Sequence, residues 1–548
     1  MQKFSLIAHV SFGLFTFALL AHPICAVGQQ EKVNLPGQYK RVHQNALTSI
    51  LRGEPDKAIA DLEKLLQRLP KDEESHYMLA VAYCAKNDLA KAEEYAKQAI
   101  EYGLPPGRII GGTLTGLEPL LKTEYGKQLI AEYGHMPVHG PMVGCVTGTS
   151  AKIWLRNTST ARDLTIEYFE ADKDEAELLA LKQECDVGAD FTTIISLSDL
   201  SPNTKYGYRV GIGESIAEDT PWQYFHTFSK QHSPTKFRLA FGGGAGYVPP
   251  NERMWDTIRA EEPDMLLLLG DNVYSDDPTT PAMQHYCYYR RQSRPEFSRL
   301  VASTPVYSIW DDHDFGTNDC SGGPDTFKPD WKLPVWNVFK NNWVNPGYGG
   351  GEKQPGCWYD YYVGDVHFIM LDGRYYRNLK PEDKDATGKG RPSMLGPVQR
   401  KWLLKMLEGS KGKLIVLCSP VPWVFEAKGD SRDTWNGFKE ERNEIFDFLA
   451  DNKMDGVLLM SADRHRSDLW KIERENGYTL YECNSSRLTN QHVHGEMKAA
   501  VFSYNKKQSF GTVDIDTTID DPTITYRVVN IDGEEIHKHT IRRSELTH

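Results

Sequence analysis

The stretch Ser308-Ile309-Trp310-Asp311-Asp312-His313-Asp314-Phe315-Gly316-Thr317-Asn318-Asp319-Cys320 reads SIWDDHDFGTNDC, an apolar run that breaks into three carboxylates around one histidine. Like charges so close together cost free energy unless cations, protons or water offset them. The same pattern recurs along residues 236–548. The apolar run 265–269 leads into Gly270-Asp271-Asn272-Val273-Tyr274, and the run 367–371 into Asp372-Gly373-Arg374-Tyr375-Tyr376-Arg377. The run 456–460 leads into Ser461-Ala462-Asp463-Arg464-His465. One Gly-Asp after a strand is an ordinary turn, and one Asp-Arg-His an ordinary surface ion pair. Four strands that all end in carboxylate, histidine or arginine need another explanation.

Further apolar runs at 237–241 and 414–417 alternate with amphipathic helices. One such helix covers 398–407, with Val398, Trp402, Leu403 and Met406 on one face. Strand–helix alternation predicts a layered α/β core, in which sites form where strands end. Converging carboxylates and histidines make a cation site of oxygen and nitrogen ligands. Two cations sharing Asp271 would use its two oxygens as a bridge, with Tyr274 adding a hard phenolate. Water between such a pair falls in pKa far enough to act as hydroxide near neutral pH. Arg374 and Arg377 read as phosphate clamps, because a guanidinium fork matches phosphate oxygens.

The rest of the chain has a different grain. Residues 40–130 read as helical: Ala58, Leu62 and Leu66 recur 34 positions on as Ala92, Ala96 and Ile100, and the period resembles tetratricopeptide repeats. The simpler alternative is a helical hairpin; under either reading this is a docking or packing unit rather than chemistry. Residues 137–229 carry short β-branched and aromatic runs, and Leu200-Ser201-Pro202-Asn203-Thr204 followed by Tyr206-Gly207-Tyr208-Arg209-Val210 resembles a fibronectin type III-like β-sandwich. At the N-terminus, Lys3, an apolar run over 6–21, Pro23, and small Ala26 and Gly28 have the build of a secretory signal peptide over 1–28. The chain is therefore read as exported, periplasmic or secreted, and not integral to a membrane after cleavage. Cysteines are scattered without any C-x-x-C, which argues against a thiolate zinc site; Cys320 and Cys357 are a candidate disulfide. A net charge of −12, with no run of five basic residues, leaves no nucleic-acid-binding signature.

The set GDNVY, WDDHDFGTND, LDGRYYR, MLGPVQRKWL and SADRH resembles the PhoD-like alkaline phosphatases, a branch of the metallophosphoesterases. The resemblance spans roughly 138–548 and implies two mixed sheets flanked by helices. It implies metal ligands at Asp271, Tyr274, Asp312, Asn318, Asp463 and His465, with His313 assisting the leaving group or substrate. It also implies Fe(III) and Ca(II), and hydrolysis of phosphomonoesters and phosphodiesters, whether small molecules or polymers. Two departures stand out. Where the family carries a cysteine that ligates iron, this chain has Gly244, so zinc, manganese or magnesium become alternatives; and Ala462 replaces a glycine. A rival reading makes the chain a catalytically altered member that binds protein partners through its repeats and sandwich. His492 and His494, two residues apart in a polar loop, are further ligand or substrate candidates, set against a plain solvated loop. Trp423, Trp435 and Tyr247 are either pocket lining or core, and Cys418 is expected to be buried and inert.

Overall fold

The computed structural model describes residue 35 and residues 39–111, 116–158, 163–173, 177–213, 216–380 and 390–548. Residues 37–548 form one compact unit. The expected signal peptide lies outside the described residues. Among those described, no helix is long and apolar enough to cross a membrane.

Four helices open the unit: α1 (Tyr39–Leu51), α2 (Pro55–Leu66), α3 (Glu73–Ala85) and α4 (Leu89–Glu101). Helix α3 starts 34 residues after α1, and α4 starts 34 after α2, so the periodicity resolves into two helix–turn–helix repeats. The small contact residues Ala58, Ala92 and Ala96 are buried together with Leu62, which lets the helices approach closely. Asp72 and Asp88 cap α3 and α4 by accepting the N–H groups of Ser75 and Lys91.

Seven strands follow: β1 (His139–Gly144), β2 (Ala151–Arg156), β3 (Leu164–Glu170), β4 (Leu179–Gln183), β5 (Thr192–Leu197), β6 (Lys205–Ile212) and β7 (Gln223–His226). They pair antiparallel into two small sheets, ordered β1-β2-β5 and β4-β3-β6-β7. In β2 even the residue opposite to Ile153 and Leu155, Trp154, is buried, because its indole N–H reaches Asn341 O in the following region at 2.9 Å.

The largest region comprises β8 (Lys236–Gly242), β9 (Met265–Leu269), β10 (Val306–Ile309), β11 (Tyr359–Val363), β12 (Val366–Met370), β13 (Leu414–Cys418), β14 (Val457–Ser461), β15 (Ser467–Ile472), β16 (Leu480–Ser485), β17 (Phe502–Tyr504), β18 (Ser509–Asp516), β19 (Thr523–Asn530) and β20 (Glu535–Arg542). Among the described residues these form two mixed sheets, ordered β10-β9-β8-β18-β19-β20 and β11-β12-β13-β14-β16-β15-β17. Strands β8, β9 and β10 run parallel in the first; β12, β13, β14 and β16 run parallel in the second. Of the parallel strands, β9 and β13 are apolar throughout, as strands covered on both faces tend to be. Tyr307 of β10 stacks on Tyr361 of β11, ring centroids 4.1 Å apart, and Phe237 of β8 meets Phe368 of β12 at 6.2 Å, so the sheets pack face to face.

Three expectations need correction or settling. In the helix Gly396–Glu408 the buried line is Gln399, Leu403 and Leu407, while Val398 is exposed. The polar Gln399 takes a core position because its side chain accepts the Asp372 N–H and donates to Asp372 O, both at 2.8 Å, closing the backbone after β12. Cys320 and Cys357 are unbonded, and among the described residues every cysteine is a free thiol. Trp423 and Trp435 stack on each other with centroids 4.6 Å apart and no exposure, which makes them core.

Candidate metal centre

Strand β9 ends in Gly270, whose φ of +104° brings the chain so close under the end of β10 that a Cβ would sit 2.6 Å from Asp311 Cβ. Only glycine fits there. Asp271 follows with φ of +54°, and Asp463 and His465, after β14, have φ of +65° and +46°. Left-handed backbone at non-glycine residues is costly and collects at functional sites. The two loops meet at Gly244: its N–H donates to Gly270 O at 3.3 Å, the next N–H donates to Asp271 O at 2.8 Å, and a Cβ on Gly244 would lie 3.2 Å from His465 Nδ1.

Asp271, Asp312 and His313 bring ligand atoms within 4.8 Å of one another, and so do Asp312, Asp319 and Asp433. Asp271 Oδ2 accepts the Tyr274 hydroxyl at 2.9 Å, whereas its Oδ1 is buried without a partner. Burial, and then the charges of Asp312, Asp311 and Asp314, push the Asp271 carboxyl well above the usual range, against the pull of His313. The Nδ1 of His465 is likewise buried and unpartnered, and burial together with His494 and His492 holds this imidazole neutral. Burial disfavours charge on Asp463, yet Arg464 and Lys428 beside it keep its carboxyl below the usual range. Buried polar atoms are almost always satisfied, so an orphaned carboxylate oxygen and an orphaned imidazole nitrogen at one convergence are the chemistry of a cation site.

The three carboxylates around His313 in the opening stretch have three different fates. Asp314 accepts the N–H groups of Val273, Asp311 and Asn272 at 2.9, 3.1 and 3.2 Å and so pins the β9 loop. Asp311 pairs with Arg374. Of these three only Asp312 turns into the acidic cluster, while a guanidinium offsets Asp311 and backbone N–H groups offset Asp314. His313 donates its Nδ1–H to Asp276, and its ring lies 4.3 Å from that of Tyr274. Against the penalty of burial, Asp271 and Asp276 push His313 up to about 10.

Arg374 and Arg377 do not sit where clamps for phosphate would. Both are fully buried; Arg374 binds Asp311 and Asp433, and Arg377 binds Asp433. Their charge holds Asp433 well below the usual range despite its burial, whereas burial pushes Asp311 up to about 8 against the pull of Arg374. Asn318 is exposed; its neighbour Asp319 donates its N–H to Asp312 Oδ2 at 2.6 Å and adds its carboxylate to the cluster. Asp276, Asp319 and Asp433 were missed in the sequence. Asp276 stood two residues past Tyr274 and was within reach of the same reasoning, but nothing local marks Asp433. His492 and His494 do converge on the site: their Nε2 atoms are 3.1 Å apart, and their rings lie 5.0 and 5.4 Å from that of His465.

Residues 239–526 match the profile of the PhoD-like phosphatases, 49–103 that of a tetratricopeptide repeat, and 136–227 that of a domain of unknown function. The chain belongs to the PhoD-like phosphatase family. It is similar to alkaline phosphatase D of Bacillus subtilis, with 21% identity over 335 residues that cover 54% of this chain. The match spans 56% of that relative, little more than half its length. The fold is similar to a solved structure of PhoD, at 15% identity and a TM-score of 0.61, over 73% of this chain and 88% of the other. It also resembles purple acid phosphatase PPD1 from yellow lupin seeds, at 12% identity and a TM-score of 0.51, over 74% and 75%.

Proposed function

We propose that this chain is an exported metal-dependent phosphoesterase that hydrolyses phosphomonoesters, phosphodiesters or both. The observation that carries the reading is the pair of orphaned atoms, Asp271 Oδ1 and His465 Nδ1, buried beside Asp312 at the meeting of two strand-end loops. Asp271, Tyr274 and His465 would hold one cation, and Asp271, Asp312 and Asp463 a second. Bound there, such a pair supplies a water acidic enough to serve as hydroxide near neutral pH and offsets charge on the phosphoryl group. Asn318, exposed on its turn, would join only by rotating inward, and Asp319 is the nearer donor. The donor set is carboxylate, phenolate and imidazole without thiolate. It suits Fe(III) and Ca(II), as the family implies, and equally zinc, manganese or magnesium. His313, held through Nδ1 by Asp276, keeps Nε2 as the atom that hands a proton to the leaving oxygen. The strands over 137–229 we read as a fibronectin III-like spacer.

Elemental analysis of the purified protein, beside hydrolysis of aryl phosphate mono- and diesters, tests this. Bound metal and chelator-sensitive turnover are expected. A protein that stays metal-free and inactive after loading with iron, calcium, zinc and manganese would overturn the reading in favour of a binding protein, the alternative that Gly244 raises.

A further inference from the structure

Helix α1 begins ahead of all three matched regions, yet its first turns lie on the metal-centre loop. Lys40 Nζ sits 3.4 Å above the centroid of the Tyr274 ring, opposite in role to the stacking His313. Arg41 pairs with Asp276 through the oxygen that His313 does not use, forming a line Arg41–Asp276–His313. Gln44 donates its side-chain N–H to Tyr274 O. The unit behind is anchored too: Glu73 pairs with Arg294 of the following region at 3.0 Å with little exposure. These contacts make α1 part of the wall around Tyr274 rather than a separate docking module.

The centre has a charge problem that α1 addresses. Arg374 and Arg377 are engaged by Asp311 and Asp433, Lys428 by Asp433 and Asp319, Arg464 by Asp463, and Arg41 by Asp276. The Lys40 ammonium makes no hydrogen bond and no ion pair with any described residue; the Tyr274 ring lies beneath it, and Asp276 and Asp271 are near enough to favour its charge. An ammonium with three donors and no acceptor, half-buried beside a ligand candidate, is placed to receive an anionic oxygen from outside the protein.

We propose that Lys40 is a substrate-binding residue of this site, its ammonium taking a non-bridging oxygen of the phosphoryl group. The proposal rests on the phosphoesterase reading and supplies the phosphate-binding cation that the buried arginines do not. Burial lowers the Lys40 ammonium to about 7, and a neighbouring anion favours its charged form; because Coulomb attraction scales with charge, the dianion of a phosphate monoester does so more than the single charge of a diester. The N-terminal repeats then act in substrate choice as well as in packing.

The test compares full-length, metal-loaded wild type with Lys40→Met, which keeps the aliphatic stem, and Lys40→Arg, which keeps the charge. Lys40→Met is expected to raise KM for an aryl phosphate monoester, and the inhibition constant of inorganic phosphate, about tenfold, the scale of one charge-assisted hydrogen bond. The diester KM should move less, kcat should change little, and Lys40→Arg should recover most of the loss. Unchanged monoester KM and phosphate inhibition in an active Lys40→Met protein would overturn the role of Lys40 and leave the phosphoesterase reading standing. A wild type that neither hydrolyses esters nor binds phosphate would overturn both. If Lys40→Met does not fold, amine acylation of wild type read by mass spectrometry decides: inorganic phosphate should slow modification of Lys40, and equal labelling with and without phosphate would reject the proposal.

Discussion

Gly244 shows at the residue scale why a missing ligand is not simply replaceable. Its φ is +69°, and a Cβ there would lie 3.0 Å from Arg487 N and 3.2 Å from His465 Nδ1. Gly244→Cys is therefore expected to cost about 1–2 kcal/mol in a chemical-denaturation experiment, the price of left-handed backbone on an L-residue, rather than to restore an iron thiolate. Asp271 carries the opposite prediction. Its carboxyl is buried among three others, so Asp271→Asn should stabilise the chelated protein by about 1–3 kcal/mol at pH 8 while abolishing metal uptake and turnover. Thermal melts of both proteins, with and without metal, check the sign. Asp271, Tyr274, Asp312, Asp463 and His465 were legible because each follows an apolar run within a few residues. The roles of Arg374 and Arg377 were not, because their partner Asp433 lies more than fifty residues away in a loop without a pattern.

At the scale of elements, strand ends and their neighbours decide what stays charged. Glu482 of β16 is fully buried and accepts the N–H groups of Trp423 and Val424 at 3.0 and 2.9 Å, as well as the Ser461 hydroxyl. Burial pushes it up to about 7 in spite of those bonds. A carboxyl raised in the folded state stabilises fully below its ordinary value near 4.5, and that contribution is lost as pH rises through about 7. Wild type should therefore lose roughly 2–4 kcal/mol relative to Glu482→Gln between pH 4.5 and 8, measured by denaturant unfolding at each pH. Strands β8, β9, β10, β12, β13 and β14 were readable from their apolar runs, whereas β11 and β15 to β20, mixed with polar residues, were not. The buried face of the helix Gly396–Glu408 was not, because Gln399 is held inside by hydrogen bonds to a distant backbone that hydrophobic periodicity does not register.

For the whole molecule, metal and fold are expected to be linked. The carboxylates converge from both sheets, so chelation should lower stability by about 3–4 kcal/mol relative to protein in metal at 100 to 1,000 times its dissociation constant. Calorimetric melting across a metal titration would show this as a Tm that rises with metal concentration. The sequence by itself determined the strand–helix alternation over 237–460, the 34-residue period and which strand ends gather carboxylate, histidine and arginine. Those features are local: apolar periodicity, turn residues and the few side chains that follow them are written in consecutive positions. Tertiary structure alone decided which carboxylate of Asp311-Asp312-His313-Asp314 faces the cluster, which cations are already engaged, and that α1 delivers Lys40 and Arg41 to Tyr274 and Asp276. For Arg374, Arg377, Lys40 and Arg41 those outcomes depend on charges and hydrogen bonds between groups that are neighbours only after the chain folds, and no short window along the chain contains both partners.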